Sequence, residues 1–535
     1  MLAASLILVA EIFENLAYIA NSSNLVLYLN EHMHMSLSKS ANNVTTFMGT
    51  AFFLGLLGGF LSDALFTTYH IYLISALIEF LGLVVLTIQA RSPSLQPPKC
   101  DSATTLCHEV SGGNAAMLFL GLYLVALGVG GCKGSLPPHG AQQLDGNTPS
   151  GRQQRSTFFN YFVFCLSSGA LVAVTFVVWV EDNKGWEWGL VISTISISVS
   201  FLIILGGSIT YRSKIPSGSP LTTIFKVLVS AMLNINLKKN SSNVVVEENA
   251  VESRVIEAPT NTLKFLNKAI ESNPKYSSMK CTVEQVEDVK ILLKGLPIFA
   301  CTIMLNCCVA QLSTFSIEQA ATMNTKIGSF TVPPASLSVF PLVFILILAP
   351  IYDHVIIPFA RKLTKTEMGI THLQRIGIGL VLSIISMAVA AIVEEKRKRV
   401  AIHSGLRDDA TKPLPITFFW IALQFLFLGS SDLFTLAGVM EFFFTEAPTR
   451  MRSLASSFSW VSVAFGYYLS SAIVSIVNWV TSIASHKPWL SGTNLNHYRL
   501  ERFYWLMCVL SVLNFLHYLF WAIRYKYRGK GATTE

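Results

Sequence analysis

Charge is what this 535-residue sequence has least of: Asp, Glu, Lys and Arg together make up 13% of it. A soluble globular chain carries about 25%, so a fold solvated on all sides is excluded. Also missing are a Cys-x-x-Cys pair, a glycine-rich phosphate loop and any grouping of nucleophile with base. Without them, no metal or cofactor is expected and enzyme activity has little support. The net charge of +8 does not point to nucleic acid, because the basic residues gather at the ends of apolar runs. That placement is what membrane orientation requires.

What the sequence has in quantity is apolar runs of about twenty residues, each long enough to cross a hydrocarbon core of about 30 Å as a helix. They do not alternate apolar and polar residues, so they predict helices rather than barrel strands. Twelve are read, over 3–29, 43–66, 70–90, 114–135, 158–180, 187–210, 290–315, 334–357, 372–394, 414–444, 453–483 and 500–524. Between the sixth and seventh lies a polar stretch whose core, Asn234 to Ser253, reads as a flexible linker. The expected organisation is an all-α membrane protein of the major facilitator type: a six-helix bundle over 1–210, a linker over 211–289 and a second bundle over 290–535. A faint repeat agrees with this: Gly59-Phe-Leu-Ser-Asp63 follows the second run and Ala349-Pro-Ile-Tyr-Asp353 the eighth.

Lys and Arg near the run ends collect on one side, among them Arg152, Arg155, Arg212, Lys214, Arg361, Arg450, Arg452 and Arg524. The positive-inside rule makes that side cytoplasmic and puts both termini there. Lys396-Arg-Lys-Arg399 falls on the other side, partly balanced by Glu394, Glu395, Asp408 and Asp409. Cys100 and Cys107 then lie in an outside loop, where a disulfide is permitted, and the remaining cysteines read as small core residues. His32 and His34 read as solvated loop residues. Met1 stands almost inside the first run, and Glu11 and Glu14 interrupt what would be a signal peptide's apolar region.

An ionised group at the centre of a membrane helix costs about 2.5–3.5 kcal/mol on insertion scales, so each one needs a reason. Glu11, Glu14, Asn15 and Tyr18 fall at i, i+3, i+4 and i+7 and share one face of the first helix. That stripe is expected to face a water-filled cavity; hydrogen bonding between helices is the plainer alternative. Two carboxylates one turn apart in a partly dry site cannot both ionise cheaply, which makes the pair a natural proton carrier. Lys133 follows Gly128-Val-Gly-Gly131, whose glycines permit close helix approach; its alternative is a helix-end lysine reaching water. Glu441 sits within Met440-Glu-Phe-Phe-Phe444. Lys133 belongs to the first half and Glu441 to the second, so a pair between them would form in one state of a transport cycle and break in another. Asp432 and Glu79 are weaker candidates, each equally readable as a packing hydrogen bonder.

Several strings also carry a family resemblance along essentially the whole chain. Gly58-Gly-Phe-Leu-Ser-Asp63 and the run Phe158-Phe-Asn-Tyr-Phe-Val-Phe-Cys-Leu-Ser-Ser-Gly169 resemble signatures of the proton-coupled oligopeptide transporter superfamily. Tyr211-Arg-Ser-Lys-Ile-Pro-Ser-Gly-Ser-Pro-Leu221 and Glu446-Ala-Pro-Thr-Arg-Met-Arg-Ser453 are similar to its plant nitrate and peptide transporter branch. Glu11 to Ala17 and Lys133 to Gly140 look closest to the subgroup that contains abscisic acid importers, some of which also take gibberellins. The resemblance implies that Lys133 and Glu441 are tied to substrate binding and gating, and that Glu11 and Glu14 belong to a first-helix motif for proton coupling. That motif normally ends in a cation, where this chain has Asn15, so its carboxylates are expected to lack their partner and proton dependence to be weak. The fifth-helix signature usually has Asn where this chain has Ser167. Val309 stands where a nitrate-transporting relative has a histidine, and valine offers no donor. A free Lys133 in a mostly apolar cavity suits one carboxylate on a greasy body. The expected function is therefore a plasma-membrane importer of carboxylate plant hormones, abscisic acid first. A small organic anion is its partner in the bilayer and a proton the candidate co-substrate. Low-affinity nitrate or peptide transport, and a sensor without net flux, are the alternatives.

Overall fold

The computed structural model describes the chain apart from residues 1, 99–107, 217, 235–259, 261, 271–280, 329, 333, 367, 409–411, 486–487, 491–494 and 528–535. The Cys100–Cys107 question and the linker core from residue 235 lie outside the described residues. Among those described, twelve helices are long and apolar enough to cross a bilayer. They are α1 (Leu2–Ser23), α2 (Lys39–Ala64), α3 (Thr68–Arg91), α4 (Gly112–Gln142), α5 (Pro149–Lys184) and α6 (Trp186–Gly206), then α7 (Val283–Ala321), α8 (Ser336–Thr364), α9 (His372–His403), α10 (Phe419–Glu446), α11 (Thr449–Ile483) and α12 (Leu500–Arg524).

Several begin earlier or run longer than the apolar runs predict. The expected starts at 158 and 290 become Pro149 and Val283 because polar first turns are held by caps. Thr148 accepts from the Gly151 amide ahead of a proline at the first turn, and Thr282 forms a capping box with Gln285. Hydropathy registers only the part of a helix that crosses hydrocarbon, so these extensions escape it. The expected tenth start at 414 falls instead on a short strand, β2 (Leu414–Thr417), pairing in parallel with β1 (Met323–Asn324) beyond the end of α7.

Within the stretch read as linker, the described residues include a helix. Ser219 caps a helix over Pro220–Leu233, and its Val227 and Ala231 pack with Leu266, Ala269, Val286 and Val289 beside the start of α7. The basic run that falls on the other side lies within the last turns of α9. Arg397 is fully buried and donates to both Glu394 oxygens at 2.7 and 2.8 Å, to Asn496 at 2.7 Å and to Thr322 at 2.9 Å. Lys398 pairs with Glu501 at 2.6 Å, and Lys396 sits 3.3 Å from the Trp420 ring centroid. Pairing explains how this end tolerates charges that the orientation rule counts against it. His32, read as solvated, is half-buried against Tyr28 and Trp186.

The first and last six helices meet along a seam built from the repeated motif. Gly59 lies so close to α11 that a Cβ there would fall 2.6 Å from the Ser453 carbonyl oxygen, and Asp63 accepts from the Leu454 amide at 2.9 Å. On the other side of the pseudo-repeat, the Ala349 carbonyl accepts from Asn160 of α5 at 2.9 Å and Asp353 accepts from Thr157 at 2.9 Å. A π-turn over Tyr352–Ile356 interrupts α8 there, and π-turns are often found at functional sites. Small-x-x-x-Asp thus performs one task twice: the small residue admits the other half and the aspartate fastens it.

Candidate functional site

The polar stripe on α1 meets α4 in the interior of the first half. Lys133 is 1% exposed and Glu11 and Glu14 not at all. The Lys133 ammonium donates to Glu11 at 2.8 Å, to Glu14 at 2.5 Å and to the Asn15 carbonyl oxygen at 3.0 Å. Asn15 in turn donates to the Leu166 carbonyl at 2.7 Å and so ties α1 to α5. Two expectations are corrected by this. Lys133 is not a free point charge, and the first-helix carboxylates do not lack a cation: α4 supplies the charge that α1 does not carry.

Each carboxylate keeps one oxygen, Oε2 of Glu11 and Oε1 of Glu14, buried without a hydrogen-bond partner among the described residues. Glu79 of α3 adds a third buried carboxylate beside the Cys132 thiol, with neither oxygen in hydrogen-bond geometry among the described residues. It reaches the cluster because α4 has Gly128 beside it, where a Cβ would fall 2.5 Å from that of Glu79. Glu14, Glu79 and Cys132 bring one ligand atom each within 4.8 Å of one another. A metal ion could be held by such a set, but it would sit beside the Lys133 ammonium. A proton fits the arrangement better. Three buried carboxylates facing one ammonium cannot all stay ionised without stranding charge. The signal for Glu79 in the sequence is a lone ionisable residue in an apolar run.

Aromatic rings wall this cluster. Tyr18 is fully buried with its ring edge-on to Phe52 at 5.7 Å, so it does not line an open cavity in this conformation. Phe52 stacks on Trp460 of α11 at 5.6 Å, and the Lys133 ammonium lies 5.3 Å from the Trp460 ring centroid. The second half therefore reaches the first-half cation through an aromatic face. Val309, half-buried on α7, packs among apolar residues. One turn earlier, Asn306 donates to Ser462 at 2.9 Å. Asp432 faces that seam in a small pocket with Asn306, Thr435, Ser459 and Ser462.

Glu441 is not joined to Lys133 in this conformation. It accepts from Ser156 of α5 at 3.1 Å and lies 3.5 Å from His372 and 3.6 Å from Arg375 of α9. Arg375 crosses the seam to Asn160 at 3.1 Å and stacks 4.4 Å from the Tyr352 ring centroid. Sequence reading missed His372 and Arg375, since a basic residue in the first turn of a helix reads as a solvated end.

A profile of the POT family matches residues 69–490. The chain is 67% identical to the Arabidopsis thaliana protein NRT1/PTR FAMILY 4.6, covering 99% of this chain and 95% of that one. It is 66% identical to NRT1/PTR FAMILY 4.5 of the same plant, over 99% and 94%. Among solved structures, an auto-inhibited POT family peptide transporter superposes with a TM-score of 0.65 at 17% identity, over 100% of this chain and 99% of that one. The POT family transporter PepTSo does so at 0.65 and 18%, over 98% and 99%. The fold is accordingly the major facilitator type shared by those transporters, with six helices on either side of a central seam. By sequence and by fold, the chain belongs to the POT family, within the plant NRT1/PTR transporters.

Proposed function

We propose that the protein is a proton-coupled importer of carboxylate plant hormones, abscisic acid first and gibberellins next, working by alternating access at the plasma membrane. The observation that carries this reading is the Lys133 ammonium clamped between Glu11 and Glu14, each with one unbonded oxygen, against the Trp460 ring. A proton on one carboxylate weakens its hold on the ammonium, which then has a hydrogen free for a substrate carboxylate. Charge in the dry site is unchanged by the exchange, so proton and anion enter together at little electrostatic cost. The apolar body of the substrate would lie against rings such as Phe52 and Trp460, with Tyr18 behind them and Val309 contributing only apolar surface. Glu79, one step further from the ammonium, serves as a proton reserve. The face carrying Arg152, Arg361 and the linker is taken as cytoplasmic, so the seam at Glu441 is the inner gate. Glu441 works that gate through Ser156, His372 and Arg375, with Lys133 a partner only in another state.

The test is accumulation of labelled abscisic acid, gibberellin, nitrate and a dipeptide in oocytes expressing the chain, beside Lys133→Ala at matched surface level. Hormone uptake that vanishes in the variant supports the reading. Nitrate or dipeptide uptake alone would replace the substrate, and binding without accumulation would make the protein a sensor.

A further inference from the structure

Four of the cations counted above as orientation signals converge on one place. Arg155, Arg212, Lys214 and Arg452 line one cavity of about 330 Å³ at the closed seam, with Asp145 the single acidic residue of its wall among the described residues. Arg155 comes from α5 and is only 8% exposed. It donates to the Leu144 carbonyl at 2.9 Å, and its Nε has no acceptor among the described residues. Its guanidinium rests on Gly146, where a Cβ would fall 2.4 Å from Nη1, so the loop between α4 and α5 is shaped to admit it. The Arg212 backbone is fixed at the rim by Gln143, which accepts from its amide at 2.8 Å and donates to its carbonyl at 3.1 Å. Lys214 donates to the Thr449 carbonyl across the seam. Arg452 comes from the second half, and its guanidinium and that of Arg155 approach the same Phe444 ring, at 5.3 and 5.1 Å.

A topological signal needs only solvated charges near the membrane, so it explains neither the burial of Arg155 nor the convergence of cations from both halves. Four like charges around one cavity repel, and burial strengthens the repulsion. Burial holds the Lys214 amine below its usual range; Asp63 pulls it back up, and Arg452 and Arg450 push it further down. A compact, multiply charged anion with several acceptor oxygens would reverse these terms, and guanidinium forks suit phosphate oxygens.

We propose that this cavity binds a phosphate or phosphomonoester group, and that its occupant fastens Arg155 of the first half and Arg212 of the linker to Arg452 of the second half, holding this face closed. The chemistry is shared by inorganic phosphate and by a phosphorylated inositol lipid headgroup. The site is independent of what the central cavity carries.

The experiment uses the full chain in nanodiscs. One arm titrates inorganic phosphate against chloride at equal ionic strength; a second compares phosphatidylcholine discs with discs containing phosphatidylinositol phosphate. Thermal unfolding reads binding, and amide hydrogen exchange over 449–456 reads the seam. Saturable stabilisation is expected in at least one arm, with slower exchange in that segment, and the responding arm identifies the source. Arg155→Gln should weaken binding at least tenfold. Arg212→Gln, which changes an exposed side chain and leaves the backbone bonds to Gln143 in place, should do so too and serves if Arg155→Gln does not fold. Phosphate and lipid acting no differently from chloride and phosphatidylcholine, or equal binding by both variants, would overturn the site. Binding without slower exchange at 449–456 would overturn its role in closure.

Discussion

Replacing Lys133 with alanine removes the one cation from a dry cluster. Glu11 and Glu14 lose their donors at 2.8 and 2.5 Å, Asn15 loses one at 3.0 Å, and both carboxylates stay at zero exposure. Breaking a buried ion pair from one side costs about 3–5 kcal/mol. A body of 150–250 residues loses about 2–4 °C per kcal/mol; each half is of that size, so melting should fall by roughly 6–20 °C. The stranded carboxylates can escape the penalty by taking protons. The folded variant then binds more protons than its unfolded chain, so its stability falls as pH rises and the gap from wild type widens towards alkaline pH. A second substitution gives the sharper result. In Lys133→Met with Glu11→Gln and Glu14→Gln no buried charge pair remains to be broken, so most of the lost stability should return while uptake stays absent. The assay is thermal unfolding of purified protein at two pH values, beside uptake at matched surface level. A Lys133→Ala protein that melts within about 1 °C of wild type at alkaline pH would refute the reasoning.

Three further outcomes follow from other parts of the molecule. Glu79→Gln removes a carboxylate with no donor in hydrogen-bond geometry among the described residues, so melting should hold or rise while the dependence of uptake on external pH flattens; a melting point several degrees lower would mean the carboxylate is structural. Asp63→Asn weakens the charged acceptor of the Leu454 amide, and hydrogen bonds to charged groups contribute about 1.5–3 kcal/mol. Exchange of that amide should accelerate at least several-fold by mass spectrometry, and an unchanged rate would remove Asp63 from the seam. Arg397→Gln strands the buried Glu394 at the far end of α9, so stability should drop by about 3–5 kcal/mol with relative substrate preference in the uptake panel unaltered.

How much of this was legible depends on whether a feature is local. The α1 stripe was, because helical periodicity alone places Glu11, Glu14, Asn15 and Tyr18 on one face. So was the repeat ending in Asp63 and Asp353, although what the aspartates grip lies some 200 to 390 residues away along the chain. The partner of the α1 carboxylates was not legible. Asn15 in place of a cation implied unpaired acids, yet charge balance is set in space, and α4 carries Lys133 to them. Glu441 was placed correctly as a charge in an apolar helix, but His372 and Arg375 belong to the first turn of α9, where sequence alone gives no sign of burial. Arg397 is an intermediate case: Glu394 was legible as a partial balance for the basic run, but that the two form a fully buried pair was not.

The central claim is that protons on the α1 carboxylates hand the Lys133 ammonium to the substrate. Its most direct test is to compare two fluxes of labelled abscisic acid in proteoliposomes containing Glu14→Gln, at alkaline pH where leak of the neutral acid is small. One flux is accumulation driven by a proton gradient; the other is exchange against unlabelled abscisic acid with no gradient. The account predicts that exchange survives, since Lys133 can still take a carboxylate, while gradient-driven accumulation is lost. Accumulation at the wild-type level would contradict it.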